Sequence, residues 1–204
     1  DPAVYGKLRD LIAKAKSLNV PNDNIQRIIK KAEGAEKDDY ESITYEGYGP
    51  SGIAMMVETL TDNRNRTAGN LRHYFDKFGG NLGNNGCVSF LFTEQGVIVL
   101  DVEDKDEETV MEDAFDAGAD DFDMADGVAE VTTSPEAFSE VRQALEEKGY
   151  EFISADVAMV PSTRTALTDP DDLKKMGLLL DHLEEDDDVQ NIWHNLENEE
   201  DLDR

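Results

Sequence analysis

Two segments near the start of the chain carry apolar residues at the three- and four-residue spacing of helices. Residues 3–17 predict one amphipathic helix. Residues 21–33 predict a second, because Pro21 suits the first turn of a helix and Gly34 stands at a typical C-cap position. Its isoleucines form one stripe, and its basic residues lie on the opposite face, directed to solvent. The pattern therefore predicts an N-terminal helical domain over residues 1–40.

The next part of the chain alternates between apolar and polar residues, which is typical of strands. Residues 42–61 predict two strands, because a Gly-Pro-Ser-Gly turn at 49–52 interrupts the alternation. Residues 61–80 return to helical spacing and end in two glycines. Thr61 or Asp62 is the expected N-cap of this helix.

A glycine- and asparagine-rich stretch at 81–87 predicts a flexible loop. Residues 88–102 predict two further strands around a turn at Glu94-Gln95-Gly96. Residues 97–160 then show the order β-α-β-β-α-β, which is the split βαβ arrangement of ferredoxin-like domains.

Residues 161–204 contribute an extended piece, a helix opened by Asp169-Pro170 and one strand-like segment. One strand and one helix make a poor core alone, so we expect them to return to the sheet begun by residues 42–96. The sequence thus predicts an α+β protein of three domains: an N-terminal helical domain, a central α/β domain of residues 41–96 plus 161–204, and an inserted acidic ferredoxin-like domain of residues 97–160.

Charge is distributed unevenly along the chain. The 204 residues include 19 Lys and Arg against 47 Asp and Glu, which gives a formal net charge of -28. Residues 1–37 contain eight basic and five acidic residues, whereas residues 97–160 contain three and twenty. This balance argues against a protein that surrounds nucleic acid with its whole surface, because every phosphate contact needs a cation.

A single cysteine, Cys87, excludes an intrachain disulfide framework and a cysteine-rich zinc module, and it fits a cytoplasmic location. No apolar run reaches the ~18 residues of a membrane span. The chain begins at Asp1, without an initiator Met and directly before a helical pattern. We therefore expect an N-terminal segment of the natural protein to be missing from this sequence.

Basic residues of the two N-terminal helices are the first candidates for phosphate contacts. Lys and Arg on exposed helix faces can neutralise a polyanion. The alternative is a solvated surface, on which Lys30 and Lys31 also complement the dipole of their own helix. These candidates are Lys7, Arg9, Lys14, Lys16, Arg27, Lys30 and Lys31.

Three arginines, Arg64, Arg66 and Arg72, lie at and inside the start of the third predicted helix. Cations there oppose the helix dipole, so local stability does not explain them. A helix N-terminus with two arginines can bind a phosphate or a carboxylate, which makes them candidate nucleic-acid contacts. The alternative is an intramolecular ion pair with a nearby carboxylate, for which the sequence offers Asp62, Glu58 and Asp76.

No motif supports catalysis or metal binding. Residues 80–86 have the spacing GxxGxxG with no Lys-Ser/Thr and no helix behind them, which favours a contact loop over a phosphate cradle. Residues 121–127 imitate a calcium loop but carry Ala125 at a ligand position. The sequence therefore predicts a non-enzymatic protein with no catalytic residues, metal or cofactor. Four aromatic residues could stack on bases, although their periods favour the core: Tyr45, Tyr48, Tyr74 and Phe75.

The central part of the chain resembles the YebC-like family of bacterial transcriptional regulatory proteins and their mitochondrial translational-activator relatives. The resemblance is carried by YEGYGP at 45–50, TDNRNRT at 61–67 and GGNLG at 79–83, with support from residues 19–34 and 184–197. It implies a helical domain followed by two α/β domains, the third being inserted. It also implies a cytoplasmic protein, and family members usually carry a Lys/Arg-rich segment ahead of this chain's first residue.

The function that this resemblance and the charge pattern favour is a non-enzymatic transcriptional regulatory protein that binds DNA through its basic helices. The alternative is a ribosome-associated translational activator that binds ribosomal RNA, because a basic module carrying acidic domains suits either target. The acidic domain could also face the ribosome or another basic protein partner. Sequence alone gives no oligomeric state.

Overall fold

The computed structural model describes residues 39–204 of the chain. The predicted N-terminal helices therefore lie outside the described residues. The described part forms two compact units. We call residues 39–92 together with 161–204 the discontinuous unit, and residues 93–160 the continuous unit.

Eight strands and four helices are present in the described residues, so the α+β class is confirmed. The strands are β1 (Glu41–Tyr48), β2 (Ala54–Thr61), β3 (Asn81–Leu82), β4 (Phe92–Asp101), β5 (Asp121–Ala125), β6 (Val128–Thr133), β7 (Glu151–Pro161) and β8 (Val189–His194). The helices are α1 (Arg64–Lys77), α2 (Glu107–Ala117), α3 (Phe138–Glu147) and α4 (Pro170–Glu185). Single 3-10 turns occupy Pro50–Gly52, Ser89–Leu91 and Glu199–Asp201.

The discontinuous unit contains an antiparallel sheet in the order β3-β1-β2-β8. The predicted turn joins β1 to β2, where Ser51 and Gly52 adopt positive φ values of 53° and 80°. Strand β8 pairs with β2, so residues far apart in sequence complete one sheet. Helix α4, which precedes β8, begins as the sequence predicts, with Asp169 as N-cap and Pro170 in the first turn.

One hydrophobic cluster holds the discontinuous unit together. Met55 and Val57 of β2 belong to it and are fully buried. Helix α1 contributes Leu71 and Phe75, and α4 contributes a stripe that includes Leu179. Burial of large apolar side chains is the main stabilising term in such a core, at about 1.5–3 kcal/mol for each. The cluster fixes the position of α1 on the sheet.

The continuous unit contains the sheet β5-β6-β4-β7, with α2 and α3 as its helices. Its elements follow one another as strand, helix, two strands, helix and strand, which is the order that the sequence predicts. Its separate core includes Ile98, Val110, Val131 and Leu145, all fully buried.

The prediction of two strands around Glu94-Gln95-Gly96 is wrong. Residues 92–101 form one strand, and a 3-10 turn precedes it. Gly96 pairs with Thr133, and a Cβ on Gly96 would lie 2.2 Å from the Thr133 Oγ1 atom and 2.8 Å from a ring carbon of Phe138. The glycine is therefore required for close packing inside the strand and does not make a turn.

The prediction of a flexible loop at 81–87 is wrong for its first two residues. Asn81 and Leu82 form β3 and pair with Tyr48 and Gly47 of β1. The backbone N–H of Cys87 then donates to the carbonyl of Asn84. The stretch is therefore an ordered edge strand followed by a hydrogen-bonded turn.

Candidate nucleic-acid interface

The start of α1 carries the two arginines that the sequence places at a helix N-terminus. The N-cap is Asn63, because its backbone is extended and its side-chain oxygen accepts the N–H of Arg66 at 3.1 Å. The prediction of Thr61 or Asp62 as N-cap is therefore wrong by one residue or two. Thr61 instead fixes the cap from outside, since its hydroxyl oxygen accepts the N–H of Asn63 at 3.0 Å.

Arg66 is held by two carboxylates of the discontinuous unit. Its Nη2 atom lies 2.8 Å from an oxygen of Asp62 and 3.1 Å from both oxygens of Asp188. The Asp188 side chain is 8% exposed and also accepts the hydroxyl of Thr67 at 2.8 Å. Hydrogen bonds to Asp62 and to Asp188 raise the pKa of Arg66. Arg66 thus joins α1 to the segment between α4 and β8.

The position of Arg66 agrees with one of the intramolecular alternatives and adds a partner that sequence reasoning missed. The pair with Asp62, four positions earlier in the sequence, is present. The pair with Asp188 spans 122 positions, and no local pattern could have indicated it. A buried carboxylate needs a counter-ion, so Arg66 has a structural task whatever else it contacts.

Arg66→Ala is expected to lower the free energy of unfolding by about 2–3 kcal/mol, because it leaves the buried carboxylate of Asp188 without its guanidinium. The value lies below that for a fully buried pair, since the Arg66 side chain is 45% exposed. Adding Asp188→Asn to Arg66→Ala should cost less than the sum of the single changes. Urea unfolding followed by Trp193 fluorescence gives the free energy of unfolding of the wild type, the two single variants and the double variant, which together form a double-mutant cycle. Additive effects would contradict the coupling, and Arg64→Ala serves as the control.

Arg64 and Arg72 stand in solvent, in contrast to Arg66. The Nε atom of Arg64 is 3.9 Å from a Glu41 oxygen, and the two side chains are 66% and 50% exposed. Such a pair contributes little. Arg72 is exposed and makes no ion pair within the described part of the chain. Arg72 follows Arg64 by eight positions, which corresponds to about 12 Å along the helix axis. Both guanidinium groups are therefore available to an anionic partner.

The segment around these arginines is poor in acid. Residues 63–93 contain four Lys or Arg and only one acidic residue, Asp76. The stretch 77–93 is the longest in the sequence without Asp or Glu. In a chain of net charge -28 this is a local reversal of sign. We call residues 63–93 the acid-poor segment.

Glu46 of β1 organises the second half of the acid-poor segment. Its side chain accepts the backbone N–H groups of Gly86 at 2.7 Å, Val88 at 3.1 Å and Ser89 at 2.6 Å. The residue is 7% exposed. Burial alone would raise the pKa of Glu46, but the three N–H donors hold it below its ordinary value. The donors that a phosphate could use in this glycine-rich turn are thus occupied by the protein's own carboxylate.

The four aromatic residues considered for base stacking are engaged inside the discontinuous unit. Phe75 is fully buried, and Tyr45 packs against the same core. Tyr48 donates its hydroxyl to the carbonyl of Cys87 at 3.1 Å. Tyr74 donates to Asp186 at 2.9 Å, and burial together with this bond raises the pKa of Tyr74 to about 12. None of the four is free for a ligand without repacking.

The three His and the single Cys do not gather into a site. Among residues 39–204, no cluster of His, Cys, Asp or Glu is arranged to hold a metal ion. Burial raises the pKa of the Cys87 thiol, which is half-buried beside Gly83. No helix in this part of the chain is long and apolar enough to span a membrane.

The basic candidates Lys7, Arg9, Lys14, Lys16, Arg27, Lys30 and Lys31 lie outside the described residues. The structure brings together Arg64, Arg66 and Arg72 on one helix, of which Arg66 is tied to Asp188. The fold and these residues define a mixed α+β protein with an arginine-bearing helix in an otherwise acidic chain.

Comparison with known proteins places this chain among its relatives. Residues 40–196 match the family model described as TACO1/YebC second and third domain. The chain is 58% identical over 202 residues to a "Probable transcriptional regulatory protein" of Ruminiclostridium cellulolyticum, covering 98% of this chain and 82% of the relative. A protein of the same name from Acetivibrio thermocellus is 56% identical over 96% of this chain and 81% of its own length. The chain therefore belongs to the TACO1/YebC family.

A solved structure supports the fold as well as the family. The crystal structure of a conserved hypothetical protein from Aquifex aeolicus superposes with a TM-score of 0.72 at 41% sequence identity. The match covers 93% of this chain and 78% of the other. The expected membership of the YebC-like family is thus confirmed.

Proposed function

We propose that this protein is a non-enzymatic transcriptional regulatory protein that binds DNA, with α1 as one of its contact elements. The observation that carries the proposal is the acid-poor segment, which presents Arg64 and Arg72 to solvent in a chain of net charge -28. The names of the relatives, probable transcriptional regulatory proteins, point in the same direction.

The proposed mechanism is electrostatic docking. Arg64 and Arg72 contact phosphates from an exposed helix face, and the basic residues of the first 31 positions add further contacts. Arg66 contributes by fixing the orientation of α1 through Asp188. The acidic continuous unit does not contact the sugar-phosphate backbone of the DNA, because its negative charge repels the phosphates. No catalytic residue, cofactor or metal takes part, and the proposed location is the cytoplasm.

We assign the two described units to domains in the same proposal. The discontinuous unit is the central α/β domain, and the continuous unit is the inserted ferredoxin-like domain. The predicted N-terminal helical domain lies outside the described residues. Both described units are acidic, and the surplus of basic residues lies in positions 1–37.

The second candidate function is translational activation at the ribosome. It is favoured by the charge of residues 97–160, which include twenty acidic and only three basic residues. A segment with this charge repels the phosphates of a duplex, whereas it is complementary to basic ribosomal proteins. Co-sedimentation of the protein with ribosomes at two salt concentrations, with a random-sequence DNA duplex as competitor, separates the two functions. Retention on ribosomes despite the competitor would favour translation, and transfer to the duplex would favour DNA.

The double variant Arg64→Ala/Arg72→Ala is expected to weaken binding to a DNA duplex and to reduce the slope of log K against log salt by about 2, since each phosphate contact contributes about 0.9. Both side chains are exposed, so the variant should fold normally. The measurement is fluorescence anisotropy of a labelled duplex over a salt series.

The matched control is Arg142→Ala/Lys174→Ala, which removes the same charge from exposed positions on α3 and α4. We expect this control to retain most of the affinity and the wild-type slope. Equal losses in the two double variants would show that net charge, and not the face of α1, governs binding.

A further inference from the structure

Phe90 is the most exposed large apolar side chain in the described part of the protein. It lies in the 3-10 turn Ser89–Leu91 and is 76% exposed. The other exposed large apolar residues, Met111, Phe115 and Val157, all belong to the continuous unit. Phe90 therefore stands alone on the described surface of the discontinuous unit.

The backbone on both sides of Phe90 is fixed. Before it, Val88 and Ser89 donate their N–H groups to Glu46. After it, the N–H of Leu91 donates to the carbonyl of Val88 at 2.9 Å, and the carbonyl of Leu91 accepts the N–H of Ser162 at 2.8 Å. Moving Phe90 into the interior would require a change of backbone that breaks these bonds. The exposure of Phe90 is thus built into the turn.

The turn that precedes the apolar run of Phe90 carries exposed asparagines and no charged residue. Gly86 and Ser89 donate to the two oxygens of the same Glu46 carboxylate, which holds the turn at 84–87 next to the 3-10 turn that carries Phe90. Asn84 and Asn85 are both exposed. No Asp or Glu occurs between positions 77 and 93, and Glu46 itself is 7% exposed. The two adjoining turns therefore carry an exposed aromatic ring and two exposed amides, with no acidic residue among their sequence neighbours.

A protein partner usually covers a contiguous apolar patch, which a single ring does not provide. A nucleobase fits this turn better, because its flat face stacks on one aromatic ring and its edge pairs with side-chain amides. Bases in a duplex already stack on each other, so the base must be unpaired. We propose that Phe90 stacks on an unpaired nucleobase of a single-stranded nucleic acid, with Asn84 and Asn85 beside it. This inference rests on the proposed nucleic-acid binding and adds to it a site for an unpaired base.

The test measures the binding of the full chain and its Phe90→Ala variant to four labelled probes. They are a 12-nucleotide adenosine RNA strand, the DNA strand of the same sequence, a duplex of the same length and a strand of abasic sugar-phosphate. We expect Phe90→Ala to weaken binding to at least one base-bearing single strand by about 5- to 150-fold, as loss of a stacking aromatic does. Affinity for the duplex and the abasic strand should stay unchanged. Comparison of the RNA and DNA strands identifies the source of the base.

The matched control is Phe115→Ala, which removes an exposed phenyl ring from acidic surroundings on α2. It should bind all probes as the wild type does. Phe90→Trp should bind the single strands about as well as the wild type does. Its new Trp fluoresces in addition to Trp193, and binding of a single strand should quench this additional fluorescence. Unchanged single-strand affinity in Phe90→Ala, or equal loss on all probes, would overturn this inference and leave the proposed function intact. Failure of the wild type to bind any nucleic acid would overturn both.

Discussion

Glu46→Gln is expected to lower the free energy of unfolding of the discontinuous unit by about 3 kcal/mol. The carboxylate accepts three backbone N–H groups at 2.6–3.1 Å in a site that is 7% exposed. A glutamine has one acceptor oxygen, and its NH2 group would face N–H donors. Hydrogen bonds to a charged group are worth about 1.5–3 kcal/mol, so the loss of one or two of them explains the size of the effect.

The same carboxylate should make stability depend on pH. Because the pKa of Glu46 is lower in the folded protein than in the unfolded chain, its contribution is complete above the unfolded value of about 4.3. The contribution is lost as the pH falls from that value through the folded pKa. Urea unfolding followed by the single Trp, Trp193 of β8, reports on the discontinuous unit.

The control for this prediction is Glu94→Gln, which makes the same chemical change at an exposed position of β4. It should unfold as the wild type does at every pH. Below the folded pKa of Glu46 the wild-type carboxyl is protonated and neutral, as the glutamine amide is. The difference in free energy of unfolding between Glu46→Gln and the wild type should therefore become small there. A disadvantage of equal size at pH 7 and pH 3 would refute the electrostatic explanation.

Gly80→Ala is expected to destabilise the discontinuous unit by about 3 kcal/mol. A Cβ on Gly80 would lie 2.1 Å from the carbonyl oxygen of Tyr48 and 3.0 Å from the Cα of Gly49. Both obstacles are backbone atoms, so relief requires movement of β1 or of the chain that follows α1. Movement would also strain the bond at 2.8 Å from the N–H of Gly80 to the carbonyl of Phe75. Chemical unfolding followed by Trp193 fluorescence measures the loss.

Gly69→Ala provides a control with the opposite sign. Gly69 lies in the middle of α1, is exposed, and a Cβ there would meet nothing within 4 Å. Alanine should therefore stabilise the helix by about 0.5–1 kcal/mol. If both alanine variants were equally harmful, a general intolerance of α1 would be the cause, and the steric account of Gly80 would be wrong.

Local sequence signals were sufficient for the class of fold and for most helices and strands. Asp169 followed by Pro170 marks the start of α4 because capping and proline geometry act over two residues. Gly96 misled the prediction, since glycine serves turns and close packing alike, and only the positions of Thr133 and Phe138 distinguish the two. Asn63 was missed as N-cap because three consecutive residues, Thr61, Asp62 and Asn63, all have side chains suited to capping.

The candidate site was less accessible to sequence reasoning. Arg66 finds Asp188 across 122 positions, a contact that depends on the return of the chain to the sheet. Glu46 lies in an ordinary strand pattern, and nothing next to it in sequence reveals three N–H partners. Phe90 belongs to the apolar run VSFLF, in which periodicity does not show which side chain faces solvent.

The pairing of β2 with β8 has a consequence for the folding of the protein during its synthesis. Met55 and Val57 lie opposite His194 and Ile192, with the whole continuous unit encoded between them. During synthesis, β2 stays without this neighbour until residue 194 has been made, whereas the continuous unit can collapse earlier from one uninterrupted stretch. Contacts of such long sequence separation slow folding. Until β8 closes over it, this edge of β2 is open to pairing with another chain.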